Sequence, residues 1–297
     1  MIEIPGYVLL EQIGVGGMST VWKALDSKNH NRIVALKILD TKFAADGRDV
    51  RQFRTEERMM EDLHHPGIVE AYDFDNRNGL WYLAMEYVDG YTFAALLNRK
   101  QHVQEPDCLA ICESVASALE YAWNEHGIVH CDIKPENIMI NSSGEVKLMD
   151  LGISHRFEFS EDGRREVPEH VTGTPAYISP EQVYGDVEPD CRCDIYSLGA
   201  TLYHLATGRV LFPGLNNEET LRAQCDENSQ ARDPRLYRPS LSVGFCRLLE
   251  AMLVKNRDYR IASWVEVFNL CRAIEENRAI APREGDTNSS IALQPGL

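Results

Sequence analysis

Eight residues near the middle of the chain read HCDIKPEN, from His130 to Asn137. They set an imidazole, a carboxylate, an ammonium group and an amide at short, fixed spacing. Asp132 could accept or orient the proton of a hydroxyl, and Lys134 could neutralise a phosphate in transfer. Asp150 follows in VKLMDLG. The side chains of Asn137 and Asp150 offer hard oxygen donors of the kind Mg2+ takes, and Mg2+ fills its remaining positions with phosphate oxygens or water. These residue types suit phosphoryl transfer.

Two earlier stretches fit the same chemistry. GVGGMSTV places Gly14, Gly16 and Gly17 between two strand-like runs. Glycines there let a hairpin backbone lie close over phosphate groups, although an ordinary hairpin turn has the same composition. VALK ends an alternating run at Lys37. A lysine facing a cleft needs an anionic partner, and the nearest helical pattern supplies Glu56 and Glu57; a solvated strand lysine is the bland alternative.

The elements that must position these groups fall into two blocks. GYVLLEQIG, STVWKALD, RIVALKIL and LWYLAMEY are β-branched, aromatic and aliphatic runs broken by Gly, Asn and Asp, so they predict strands. One helical pattern interrupts them from Val50 to Leu63, with Phe53, Met60 and Leu63 among its apolar positions, and Gly90 stands where a hinge is expected. Helical patterns then dominate: EPDCLAICESVASALEYAWNEHG with Pro106 at its start and Gly127 at its end, then DIYSLGATLYHLAT, EETLRAQCDE, SVGFCRLLEAMLV and SWVEVFNLCRAIEENR. The predicted fold class is α+β, a small β-rich lobe with one major helix over residues 1–86 and a larger, mainly helical lobe over 87–280. Residues 281–297 are polar and Pro/Gly-bearing, which predicts a disordered tail.

Composition narrows the function classes. At 297 residues, 44% hydrophobic and 26% charged, the chain has the make-up of a globular protein with a sizeable core. Its net charge of −16 repels phosphate backbones and anionic lipid, which argues against nucleic-acid or membrane-surface binding and favours basic protein partners. No apolar run is long enough to span a bilayer, and the N-terminus lacks the basic segment of a signal peptide. Eight cysteines without paired C-x-x-C spacing predict reduced, structural thiols and a cytoplasmic setting.

In their order, the Gly-rich loop, VALK, the catalytic-loop pattern, D-x-G and a P-E motif resemble the eukaryotic-type Ser/Thr protein kinase family over about residues 7–275. GVGGMSTVW and HHPGIV are closest in flavour to its bacterial branch. The resemblance implies a bilobal kinase fold, ATP and Mg2+ (or Mn2+) as cofactors, and a protein substrate with a Ser or Thr acceptor. It casts Asp132 as catalytic base, Lys134 as partner of the γ-phosphate, and Asn137 and Asp150 as metal ligands. Lys37 would hold the α- and β-phosphates and pair with Glu56, with Glu57 as the fallback. Gly14, Gly16 and Gly17 would cover the phosphates. The adenine would lie among Ile13, Val21, Ala35 and Met139, with Met85 as gatekeeper and the backbone of Glu86 and Val88 bonding the base. Thr174 of GTPAYISPE would contact Asp132 and Lys134, Glu181 would pair with Arg260, and Asp194 would tether the catalytic loop.

The resemblance breaks at two positions. Ser19 replaces the third glycine of the loop, and Cys131 replaces the arginine that in most relatives pairs with a phosphorylated residue of the activation segment. These are the features that favour a rival reading, an ATP-binding pseudokinase or scaffold without turnover. A small-molecule kinase is a third reading, against which GTPAYISPE argues. Neither departure removes a group needed for transfer, so the expectation is an active kinase that does not depend on phosphorylation of Ser160, Thr172 or Thr174.

Overall fold

A computed structural model of the chain describes residues 3–40, 42, 50, 60–150, 155–156, 173–185, 188–213, 216–276 and 291–292. These form two compact units. One runs to Gly90 and takes in the described part of Ile140–Gly152; the other holds Tyr91–Met139 and the described residues beyond.

The first unit is built on an antiparallel sheet of five strands, β1 (Tyr7–Val15), β2 (Ser19–Asp26), β3 (Arg32–Leu39), β4 (Ala71–Arg77) and β5 (Leu80–Glu86), in the order β1-β2-β3-β5-β4. The four runs expected as strands are β1, β2, β3 and β5. The fourth strand in sequence, AYDFDNR, is concealed by Asp73, Asp75 and Asn76, residue types depleted in strands. Its Asp73 is recruited by long-range contacts: Oδ2 accepts the hydroxyls of Tyr7 at 2.9 Å and Tyr82 at 3.0 Å.

Strand alternation decides which side chains reach the site. Val34, Leu36 and Ile38 of β3 enter a core with Ile4, Tyr7, Ala24, Tyr82 and Ala84. Ala35 and Lys37 therefore occupy the opposite face. Of the helical pattern from Val50 to Leu63, Met60 and Leu63 are buried, while Glu56 and Glu57 lie outside the described residues.

The expected boundary after Glu86 shifts. Ile140–Gly152, expected in the helical lobe, groups with the first unit. Backbone bonds make it so: the amide of Val69 donates to the Leu148 carbonyl at 3.0 Å, and that of Leu148 donates to Gly67 at 2.8 Å. Gly90 has a packing reason as well as its expected hinge role, because a Cβ there would overlap the Ile140 carbonyl.

The second unit is helical: α1 (Phe93–Lys100), α2 (Glu105–His126), α3 (Pro180–Tyr184), α4 (Cys191–Thr207), α5 (Asn217–Cys225), α6 (Val243–Met252) and α7 (Trp264–Glu275). Helix α2 starts with Pro106 in its first turn and ends at Gly127, whose φ of 62° is the left-handed cap a glycine adopts without strain. It packs on α4 and α7, and α6 packs on both of these as well. Helix α4 is buried along almost its whole length, which is why its pattern is apolar all round.

The tail expectation fails at two residues. Ile291 and Ala292 pair in parallel with Ala231 and Arg232, and Ile291 is buried, an apolar side chain finding cover in an otherwise polar stretch. Among the described residues no helix is long and apolar enough to cross a membrane. All eight cysteines are free thiols, and every one except Cys225 is buried.

Candidate active site

The first unit gathers one group of candidate residues. Lys37 sits on β3 directly opposite Val21 of β2 and Leu83 of β5, and Ala35 lies opposite Lys23 and Met85. Residues paired in register share a face, so Val21, Ala35, Lys37 and Met85 form one patch of the sheet. Lys37 Nζ donates to Asp150 Oδ1 at 3.0 Å. Asp150 holds a φ of 65°, a left-handed backbone that a non-glycine residue rarely adopts, and its carboxylate is about half exposed. The expected partner Glu56 lies outside the described residues, and so do Leu151 and Gly152 of the D-x-G motif.

The glycine loop closes the β1–β2 hairpin. Gly14 pairs with Val21, and the Gly16 amide donates to the Ser19 carbonyl at 2.8 Å. Among the described residues, its two chain neighbours aside, no atom lies within 4 Å of where a Cβ at Gly17 would sit. Ile13 is exposed on β1. At the end of β5 the Glu86 carboxylate pairs with Lys147 at 2.7 Å, and Val88 is buried. Met139, the remaining adenine candidate, belongs to the second unit on a short strand, Ile138–Asn141.

The second unit gathers the catalytic-loop residues. Asp132 is at the centre: Oδ2 accepts from Lys134 Nζ and, at 3.2 Å, from Asn137 Nδ2, while Oδ1 accepts from Thr174 Oγ1 at 2.8 Å. Lys134 also donates to Thr174 Oγ1 at 2.8 Å, so Asp132, Lys134 and Thr174 form a closed triangle. Asn137 Nδ2 reaches the Asp132 carbonyl at 2.9 Å, which leaves its amide oxygen as the atom able to meet a cation.

Buried groups hold that loop. Asp194 on α4 accepts the backbone N–H groups of His130 and Cys131, both at 2.8 Å. Burial pushes the Asp194 carboxyl up to about 6, against the pull of His130 and of those two amide bonds. Arg260 forks onto Glu181, with Nη2 donating to Oε2 at 2.9 Å, and also donates to the carbonyls of Arg192, Val254 and Lys255. The pairings expected for Thr174, Glu181 and Asp194 are thus all present.

Cys131 points its thiol inward, against Val129, Cys193 and Trp123. Burial, then a hydrogen bond with Cys131, pushes the Cys193 thiol well above its ordinary value, which disfavours its thiolate. Gln182, on α3, bonds the Cys131 carbonyl at 3.0 Å. It carries no catalytic signature in the sequence; the Ser-x-x-Gln spacing of a capping box is the local signal that marks it.

A five-stranded sheet face carrying a Lys–Asp pair, and a loop from His130 to Asn137 built round Asp132, are the two arrangements of the candidate residues. The protein kinase domain model matches residues 7–270, and the chain belongs to that family. It is 36% identical over 261 residues to a probable serine/threonine-protein kinase of Streptomyces coelicolor, covering 86% of this chain and 38% of that protein. It is 37% identical to the serine/threonine-protein kinase PrkC of Bacillus subtilis and 38% identical to PknB of Mycobacterium tuberculosis, each across 70% of this chain. The matches cover 31% and 33% of those two proteins, so the chain spans about a third of the length of these curated relatives.

Proposed function

We propose that the chain is an active Ser/Thr protein kinase of the bacterial branch, moving the γ-phosphate of MgATP to a protein hydroxyl. The observation that carries this reading is the triangle of Asp132, Lys134 and Thr174. It fixes both carboxylate oxygens of Asp132, so that the group that would orient an acceptor hydroxyl is already in place. Lys134 in a loop of this kind, together with GTPAY, favours serine and threonine over tyrosine acceptors.

The residues present suit the cofactor. Among the described residues no group of three or more His, Cys, Asp and Glu side chains could hold a metal ion. Asp150 and Asn137 would each give one hard oxygen to Mg2+, which takes most of its ligands from phosphate and water. When bound, MgATP supplies the phosphoryl group and the charge neutralisation its transfer needs. Lys37 would hold the α- and β-phosphates, with Glu56 as its partner in that state. Val21, Ala35 and Met85 would pack the adenine on the same sheet face, with Ile13 and Met139, while the Glu86 carbonyl and Val88 amide bond its edge. Gly14, Gly16 and Gly17 would let the hairpin approach the phosphates.

The activity would not depend on a phosphorylated activation segment. Cys131 has no charge to offer a phosphate, its thiol is buried, and the Thr174 hydroxyl is already engaged by Asp132 and Lys134. Partners would be proteins with a Ser or Thr acceptor; the net charge of −16 favours basic ones.

Transfer of label from γ-labelled ATP to a basic test protein checks the reading, with Asp132→Asn and Asp150→Asn run beside the wild type. Label confined to the wild type is the expected result, and equal label in all three would overturn it. Phosphatase treatment of the wild type should leave peptide phosphorylation intact; a large loss would overturn the phosphate-independent part.

A further inference from the structure

Cys131 combines three features that are independent of its thiol chemistry. Its φ is 66°, in the left-handed region that is strained for a non-glycine residue. Its N–H is taken by Asp194 Oδ1 at 2.8 Å. Its carbonyl accepts Nε2 of Gln182 at 3.0 Å. A strained residue immediately before Asp132 is therefore gripped at both ends of its own backbone, by two side chains from different elements.

Gln182 reaches that carbonyl because its other end is fixed. It is the third residue of helix α3, whose N-cap is Ser179, and the two form a capping box. Gln182 Oε1 accepts the Ser179 amide at 3.2 Å and the Ser179 hydroxyl at 2.9 Å, and Ser179 is fully buried. With Oε1 so committed, Nε2 is left to donate to Cys131. The amide thus joins two segments that both end at Asp132: the catalytic loop through Cys131, and the stretch from Gly173 to Ser179 whose Thr174 donates to Asp132. Gly173 packs there too, a Cβ at that position lying 3.5 Å from the Cys131 carbonyl oxygen.

We propose that Gln182 is a positioning residue for phosphoryl transfer, holding the catalytic loop to the Gly173–Ser179 segment with a neutral hydrogen bond where an arginine–phosphate pair would need a modification. The link needs no phosphorylation, because an amide N–H and a backbone carbonyl suffice to make it. It sets the backbone conformation of residue 131 and, through it, the direction of the Asp132 carboxylate. This inference rests on the reading of Asp132 as the catalytic base.

Gln182→Glu separates the two ends of the side chain. A carboxylate still accepts from Ser179, so the helix cap survives, but it has no proton to give Cys131. Gln182→Glu should lower kcat at pH 8 by about tenfold while leaving KM for ATP within about twofold and the melting temperature nearly unchanged. Lowering the pH should restore the donor as the carboxyl protonates, so the variant-to-wild-type kcat ratio should rise from pH 8 to pH 5. A merely structural role would give no such profile. Gln182→Ala should lose activity at every pH and, lacking the cap, melt earlier. Wild-type kcat from the Glu variant at pH 8, or a pH-independent ratio, would overturn the tether. Failure of Asp132→Asn to reduce wild-type activity would instead overturn the reading on which it rests.

Discussion

Lys37 and Asp150 stand 113 residues apart in sequence and meet at 3.0 Å, Nζ to Oδ1. Asp150 is 44% exposed, and pairs this open to solvent contribute little to stability, a median of about 0–1 kcal/mol. The pairing therefore does little to hold the sheet together, and on the proposed reading Lys37 serves the nucleotide phosphates instead. Lys37→Met should reduce phosphotransfer by about a hundredfold or more, the scale of losing one preorganised electrostatic contact, while the melting curve barely moves. Kinetics beside thermal denaturation checks both halves.

The Glu181–Arg260 pair should behave in the opposite way. Arg260 is fully buried and Glu181 nearly so. Arg260→Ala would strand a buried carboxylate and leave three carbonyls without their donor. Loss of one partner of such a pair costs about 3–5 kcal/mol, so chemical denaturation should show a large loss of stability.

Lys255 offers a second test of burial. Its ammonium donates to the carbonyls of Ala223, Asp226 and Ser229 at 2.5–2.7 Å, wrapping the end of α5. Burial holds its proton affinity down to about 8. Lys255→Met keeps the length and volume but removes the ammonium. The Asp226 carbonyl keeps the Ser229 amide, whereas a buried acceptor such as the Ala223 carbonyl, losing this donor, costs about 1–3 kcal/mol if left unmet. Urea unfolding should register a loss of at least that single-group size.

His204 makes stability depend on pH. Its Nδ1 lies 2.8 Å from the Tyr177 hydroxyl, and burial lowers its proton affinity from the ordinary 6.5 to about 4. Between those values the unfolded chain binds the extra proton and the folded chain does not, so this contribution is complete above about 6.5 and is lost as pH falls toward 4. His204→Gln keeps a hydrogen-bonding group but does not titrate. The wild type should lose more melting temperature than this variant between pH 7 and pH 4.5.

Much of this molecule is legible in the chain because its signals are local. Four of the five strands of the main sheet, the long α2 with its Pro106 and Gly127 ends, and the order of the chemistry-bearing motifs all follow from periodicity, caps and spacing. Strand β4 escapes because Asp73 is stabilised by Tyr7 and Tyr82, which a local window cannot see. Helices α1 and α3 are too short to establish a period. The lobe boundary and the tail move for a related reason: Leu148 and Ile291 are placed by backbone partners far away in sequence.

The sequence by itself determined which groups are present and in what order: the glycines, Lys37, Asp132, Lys134, Asn137, Asp150 and the cysteine in place of an arginine. It determined these because residue identity and spacing are properties of the chain alone. Only the tertiary structure decided what those groups bond. Thr174 closes on Asp132 and Lys134, Asp194 takes two amides of the catalytic loop, and Gln182 holds the carbonyl of Cys131. Each such bond depends on where two distant backbones come to rest, and that is set by the burial of the helices and strands that carry them.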